Sequence, residues 1–130
     1  MLVTHKPLTA GEDELAKAPP YRFVPSPARA RLTALCRDGG VEVVVSGHVH
    51  QLRQLEAAGM SHLWATTTWA VLPDELQPVI GAKRCGVLEL GLPVAGDAET
   101  AWVEPGGMAQ LTLGKNIASP YGPVVGETPA

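Results

Sequence analysis

The chain has 130 residues, of which 45% are apolar and only 5% aromatic, a composition typical of one small domain with a core of Val, Leu and Ala. Its 10 Lys and Arg against 13 Asp and Glu leave a net charge of −3 with no long basic run, which argues against strong binding to nucleic acid or an anionic membrane. No segment approaches the roughly 20 apolar residues of a membrane span, and none resembles a signal peptide. Cys36 and Cys85 are far apart in the sequence and are expected to be reduced, so a cytoplasmic location is predicted.

The first part of the chain predicts a strand and then a loop. Met1 to Thr4 is short, apolar and β-branched, and its tip carries His5. Residues 9–25 are rich in proline and acidic side chains and predict a loop, in which a short helix over Glu12 to Lys17 remains open.

A helix is predicted from Ser26 to the glycine pair at residues 39–40. Ser26 is expected to cap it, with proline at the first helical position. Its apolar face is predicted from the spacing of Ala28, Leu32, Leu35 and Cys36.

The nearly all-valine run from Val41 to Val45 predicts a strand that is covered on both faces. A strand–helix–strand crossover makes this strand parallel to Met1–Thr4, with both carboxyl ends at one edge of the sheet. Ligands bind at that edge in open α/β sheets, so His5, His48 and His50 are expected to converge there. On its other side the valine strand is expected to pair with a strand from outside this sequence.

Beyond His50 the pattern predicts an antiparallel meander followed by a tail. A turn at Ala58–Gly59 should join the first two strands, and a loop covers residues 67–78. The predicted strands are Gln51–Glu56, Met60–Thr66, Cys85–Leu90, Thr100–Val103 and Met108–Leu113. The domain is therefore expected to span residues 1–113, and residues 114–130 to form a flexible tail rich in Gly and Pro.

The segment Ser46-Gly47-His48-Val49-His50 is a candidate metal-binding turn. Histidine is the commonest metal-binding side chain near neutral pH, and residues i and i+2 of an extended segment project to the same side. Gly47 would let the backbone turn sharply. The alternative is a polar strand end that carries two imidazoles by chance; the third imidazole at His5 favours a metal site.

Two motifs together resemble a known family. THKPL at Thr4–Leu8, followed by VVVSGHVH at Val43–His50, is similar to the last two motifs of the calcineurin-like metallophosphoesterases, and LWATTTWAVLPDE at Leu63–Glu75 resembles the segment that follows them. The resemblance implies the C-terminal part of a two-sheet α/β/β/α sandwich. By position, it assigns His5 and His48 to one metal ion and His50 to its neighbour.

The resemblance also implies a reaction. Phosphomonoesters or phosphodiesters, as small molecules or nucleotides, would be hydrolysed by metal-bound hydroxide at a site with two divalent ions, and Mn, Fe, Zn and Ni all suit such ligands. The earlier family motifs, D-x-H, G-D and G-N-H followed by an acid, are absent from this sequence. The chain is therefore expected to be the C-terminal half of a catalytic domain, to contain no catalytic acid and to be inactive alone, with the missing motifs encoded upstream.

Two other functions remain open. A degenerate family member could act as a non-catalytic binding module, and an unrelated H-x-H metal protein of the amidohydrolase or β-lactamase-like type is also conceivable. Among the other candidates, His62 is expected to pack in the core or on the strand surface and not to bind a metal. Lys6 could contact a substrate phosphate or solvent, and Trp69 could line a pocket.

Overall fold

The computed structural model describes residues 1–120. The regular elements of this range are two helices and six strands. In chain order they are β1 (Leu2–Thr4), α1 (Glu12–Lys17), α2 (Ser26–Asp38), β2 (Val43–Ser46), β3 (Arg53–Ala57), β4 (Met60–Trp64), β5 (Val87–Gly91) and β6 (Glu99–Val103). The short helix that the sequence left open is present as α1.

The main sheet has four strands in the order β1-β2-β4-β3. The predicted crossover is confirmed, because β1 and β2 are parallel and Thr4 is in register with Ser46. The expected second neighbour of β2 is wrong: β4 pairs with it in parallel, Ser46 facing Trp64, so β2 is central without any strand from elsewhere. On this side β1 is the edge strand of the sheet, unpaired within the described residues, and its Val3 is 66% exposed.

The hairpin of β3 and β4 closes where the sequence predicts it. Ala58 and Gly59 both have positive φ, 53° and 75°. Two consecutive left-handed residues are typical of the tight turn whose twist matches the flanking strands. The two strands are antiparallel, and Ala57 is in register with Met60.

The rest of the predicted meander is only partly present. Strands β5 and β6 form a separate antiparallel pair rather than continuing from β4. The strand predicted over Met108–Leu113 is wrong: within residues 1–120 this segment makes only isolated bridges, between Val71 and Thr112 and between Leu113 and Ile117. The fold is nevertheless mixed α/β with two sheets, as expected for part of a two-sheet α/β sandwich.

The predicted tail falls partly outside the described range. Gly114 and Ile117 form a turn, in which the Gly114 N–H donates to the Ile117 carbonyl oxygen at 2.8 Å. The portion of the predicted tail at residues 121–130 lies outside the described residues.

Helix α2 covers one face of the main sheet, but with a narrower apolar stripe than predicted. Leu32 and Cys36 pack against the core, whereas Ala28 is exposed and Leu35 is 60% exposed. Leu35 lies about 100° around the helix axis from Cys36, beyond the line of contact with the sheet. The expected cap is also wrong, because Pro25 holds the N-cap position and Ser26 is already helical.

Two apolar clusters fill the interior. The first lies between α2 and the main sheet, and its buried members are Leu8, Cys36, Val44 and Met60. The second lies beside α1 and the strand ends, with Ala10, Phe23, Val49 and Trp64 buried. Both cysteines are buried and free. No helix within residues 1–120 is long and apolar enough to cross a membrane.

Candidate metal centre

The parallel pairing of β1 and β2 brings His5 and His48 together. Because Thr4 lies opposite Ser46, the two chains leave the sheet side by side, and the Gly47 N–H donates to the His5 carbonyl oxygen at 3.2 Å. The imidazole centroids of His5 and His48 are 4.7 Å apart, with the ring planes inclined at 62°. The predicted meeting of these two side chains at the carboxyl edge of the sheet is thus observed.

The backbone after β2 is a tight bend, not the extended segment that the sequence suggested. His48 has φ 67° and His50 has φ 53°, both in the left-handed region that side chains other than glycine rarely adopt. Val49 between them is fully buried, and its N–H donates to the Gly47 carbonyl oxygen at 2.8 Å. The buried valine anchors the bend and leaves an imidazole on either side of it.

Gly47 does not have the conformation that was expected of it. The left-handed positions of the bend are the two histidines, and Gly47 is not among the glycines with positive φ. A Cβ at Gly47 would come no nearer than 3.9 Å to the His5 carbonyl oxygen, an ordinary van der Waals contact. The absence of a side chain therefore leaves open space beside His5 instead of relieving a strained backbone.

Main-chain carbonyl groups orient two of the three imidazoles. His48 donates from Nε2 to the Tyr21 oxygen at 3.0 Å, and His50 donates from Nδ1 to the Ala70 oxygen at 2.8 Å. A carbonyl oxygen only accepts, so these ring nitrogens carry the protons. In the neutral rings the lone pairs are then on Nδ1 of His48 and Nε2 of His50. Hydrogen bonding of the second ring nitrogen is the usual way in which proteins fix a metal-binding histidine.

The electrostatic surroundings favour the neutral form of His48. Burial lowers the pKa of His48, the hydrogen bond to the Tyr21 carbonyl opposes this shift, and electrostatic interaction with His5, Lys6 and His50 lowers the pKa further. His48 is therefore neutral at neutral pH, as a metal ligand must be. His5 and His50 therefore both lie within electrostatic reach of His48.

The three imidazoles do not form a closed metal cage by themselves. Within residues 1–120 there is no group of three or more His, Cys, Asp or Glu side chains arranged to hold an ion. His5 and His48 form a contacting pair, while His50 is turned toward Ala70. The fourth histidine, His62, lies buried on β4, as predicted for a core residue.

Gln51, which the sequence predicts only as part of a strand, supports the bend. Its side chain is fully buried, and Nε2 donates to the Gln77 Oε1 at 2.7 Å and to the Pro78 oxygen at 3.0 Å. Its Oε1 accepts from the N–H groups of Ile80 and Gly81, at 2.8 and 2.7 Å. These four hydrogen bonds tie Gln51, and with it the end of the bend, to the loop that precedes β5. No sequence pattern signals this role.

Comparison of the chain with family models, with curated proteins and with solved structures finds no match. Its function must therefore be inferred from the chemistry and geometry of the site.

Proposed function

We propose that this chain supplies part of the site of a metal-dependent phosphoesterase of the calcineurin-like kind, with His5, His48 and His50 as metal ligands. The observation that carries the proposal is the contact of His5 with His48 at the carboxyl ends of two adjacent parallel strands. Open α/β sheets place their ligands at this edge. The two motifs that resemble the family, at Thr4–Leu8 and Val43–His50, end at these same positions.

The donor atoms suit the implied ions. Imidazole nitrogens favour Mn, Fe, Zn or Ni over Ca. The carbonyl groups of Tyr21 and Ala70 accept hydrogen bonds from Nε2 of His48 and Nδ1 of His50. The other nitrogen of each ring is then left without a proton and can bind a metal ion. Bound divalent ions would polarise the phosphoryl group and lower the pKa of water. Lys6, whose charge reaches His48, adds a positive group suited to a substrate phosphate.

The carboxylates of a two-metal site would have to come from elsewhere. Within residues 1–120 no group of three or more His, Cys, Asp or Glu side chains is arranged to hold an ion. Two cations held by imidazoles alone would repel each other at about 4 Å, which makes an added acidic ligand set necessary. We propose that another segment or another chain supplies these ligands and the acid that protonates the leaving group, and that residues 1–113 act as the C-terminal half of the domain.

The substrate class follows from this proposal. A phosphomonoester or phosphodiester, as a small molecule or nucleotide, would bind at the histidine edge. A cytoplasmic location accords with two buried cysteines that form no disulfide.

A second candidate function has its own supporting observation. Among residues 1–120 nothing pairs with the outer edge of β1, and its Val3 side chain is 66% exposed. An exposed strand edge can bind an extended segment of a partner by strand addition. A degenerate, non-catalytic family member would use this edge and leave the histidines without metal.

Metal titration separates the two candidates. Calorimetry of the chain with Zn²⁺ should detect binding that His48→Ala weakens by about tenfold or more, with His5→Ala acting in the same direction. His62→Ala is the matched control, because this histidine is buried on β4 at a distance from the strand ends, and it should leave Zn²⁺ affinity unchanged. Equal affinities for the parent chain and His48→Ala would contradict the metal site and favour the binding module.

A further inference from the structure

The two carbonyl groups that orient the histidines lie at or beside exposed aromatic side chains. Tyr21 itself accepts the hydrogen bond of His48, and its side chain is 63% exposed. Ala70 accepts the hydrogen bond of His50, and the preceding residue, Trp69, is 40% exposed. Each of the two orienting carbonyl groups therefore belongs to an exposed aromatic residue or to its immediate neighbour in the chain.

The exposure of these aromatic groups is not the result of loose backbone. Phe23, two residues after Tyr21, is buried against Trp64, with 5.9 Å between the ring centroids. The next residue, Val24, donates its N–H to the Pro7 carbonyl oxygen at 3.1 Å. Tyr21 is thus presented outward by a segment that is anchored immediately behind it.

The Trp69 segment is anchored in the same way. The Trp69 N–H donates to the Thr67 Oγ1 at 3.1 Å, and its carbonyl oxygen accepts from the Cys85 thiol at 3.7 Å. Ala70 is fully buried. Of the other two tryptophans, Trp64 is fully buried, and Trp102 is half-buried, packed against Gly86 beneath the Arg84 guanidinium.

The charge near these carbonyl groups indicates what binds there. Lys6 follows His5 and brings a positive charge near His48, which attracts an anion such as phosphate. Aromatic side chains provide stacking surfaces for planar rings, and such stacking tolerates any base. A ligand with a phosphate at the histidines and a planar ring beside it would use both features.

We propose that Tyr21 and Trp69 form an aromatic recognition element for the nucleobase of a nucleotide whose phosphate lies at the histidine cluster. The proposal rests on the proposed function for the identity of the phosphate subsite, and it narrows the substrate class from phosphoesters in general to nucleotides. Tyr21 and Trp69 would determine specificity and would take no part in the bond cleavage.

Two matched probes test the aromatic element. Adenosine 5′-monophosphate and ribose 5-phosphate carry the same sugar and phosphate and differ in the base. Their dissociation constants for the full chain would be measured by NMR titration, with and without the diamagnetic ion Zn²⁺. The indole N–H signal of Trp69 would be assigned by its loss in Trp69→Phe. We expect the nucleotide to bind at least about fivefold more tightly and to shift this signal.

The variants distinguish stacking from a structural effect. Trp69→Leu and Tyr21→Leu should each reduce the preference for the nucleotide, whereas Trp69→Phe should retain most of it. Leu35→Ala is the control, because this exposed apolar side chain lies near the end of α2 that leads into β2, at the opposite edge of the sheet. Circular dichroism would verify that each variant is folded.

The outcomes for this proposal and for the metal site are separable. Three results would overturn the aromatic element even if Zn²⁺ binds at the histidines. They are equal affinity for the two probes, no detectable nucleotide binding at millimolar concentration, and a preference for the nucleotide that both leucine variants retain. A preference that depends on Trp69 and Tyr21 in a chain without metal affinity would support the aromatic element and contradict the phosphoesterase.

Discussion

Replacing Gln51 by methionine should destabilise the chain strongly, although the substitution keeps the length and nearly the volume of the side chain. The methionine thioether cannot donate a hydrogen bond and accepts only weakly. The substitution therefore removes the four hydrogen bonds of Gln51, to Gln77, Pro78, Ile80 and Gly81, without opening a large cavity.

The magnitude follows from the groups that lose a partner. Each hydrogen bond contributes roughly 0.5–1.5 kcal/mol net, and each buried group left unsatisfied costs about 1–3 kcal/mol. The N–H groups of Ile80 and Gly81 both lose their acceptor, so the expected loss is about 3–5 kcal/mol. A domain of this size has a free energy of unfolding of about 6–20 kcal/mol, so the loss is a large fraction of the whole.

Urea denaturation followed by circular dichroism measures this loss. Gln54→Met is the matched control, since Gln54 is exposed on β3 and makes only a 3.4 Å contact with the Ser61 hydroxyl. The control should change the free energy of unfolding by less than about 0.5 kcal/mol. If Gln51→Met costs no more than the control, the buried network does not hold the loop and the structural role of Gln51 is refuted.

Three further outcomes are expected. The 130-residue chain should hydrolyse neither an aryl phosphate nor a phosphodiester faster than free Mn²⁺ or Zn²⁺, and turnover that His48→Ala abolishes would contradict this. Burial lowers the pKa of His62 below its ordinary 6.5, although the hydrogen bond to the Ala57 carbonyl opposes this shift. As the pH drops through 6.5 the unfolded chain therefore takes up a proton before the folded chain does, and the free energy of unfolding should fall. His62→Gln should reduce this loss, as measured by urea midpoints at about pH 7.5 and 5.5. Gly86→Ala should cost about 1–3 kcal/mol in urea unfolding, because its Cβ would lie 2.7 Å from the Trp102 indole.

Local signals predicted much of the fold. The valine run, the helix between two strands and the Ala58–Gly59 turn each depend on short-range rules of pattern and turn chemistry, and all three are present. The strand–helix–strand rule also predicted correctly that His5 and His48 meet, because parallel pairing follows from the handedness and length of the connection.

The features that were not predictable depend on long-range partners. Nothing in the sequence of β4 indicates that it pairs in parallel with β2 instead of continuing a meander. The orienting partners of His48 and His50 are main-chain oxygens, which leave no residue-type signal. The role of Gln51 was missed for a related reason, because a buried glutamine and an exposed one look alike in a strand pattern.

The left-handed backbone at His48 allows a test that separates function from stability. A residue other than glycine in this conformation costs about 1–2 kcal/mol, and His48 has φ 67°. His48→Gly relieves that cost but loses the hydrogen bond to Tyr21, worth about 1 kcal/mol, so the free energy of unfolding should change by no more than about 1 kcal/mol.

His48→Ala loses the same bond and keeps the strained backbone, so it should be less stable than His48→Gly by about 1 kcal/mol in urea denaturation. Both variants should lose Zn²⁺ affinity to the same extent, because the ligand is gone in each. Equal stabilities would mean that the bend is not held in the left-handed conformation, and intact Zn²⁺ affinity would mean that His48 is not a ligand. If His48→Gly is more stable than His48→Ala but binds Zn²⁺ no better, then the imidazole of His48 contributes to metal binding and its left-handed backbone costs stability.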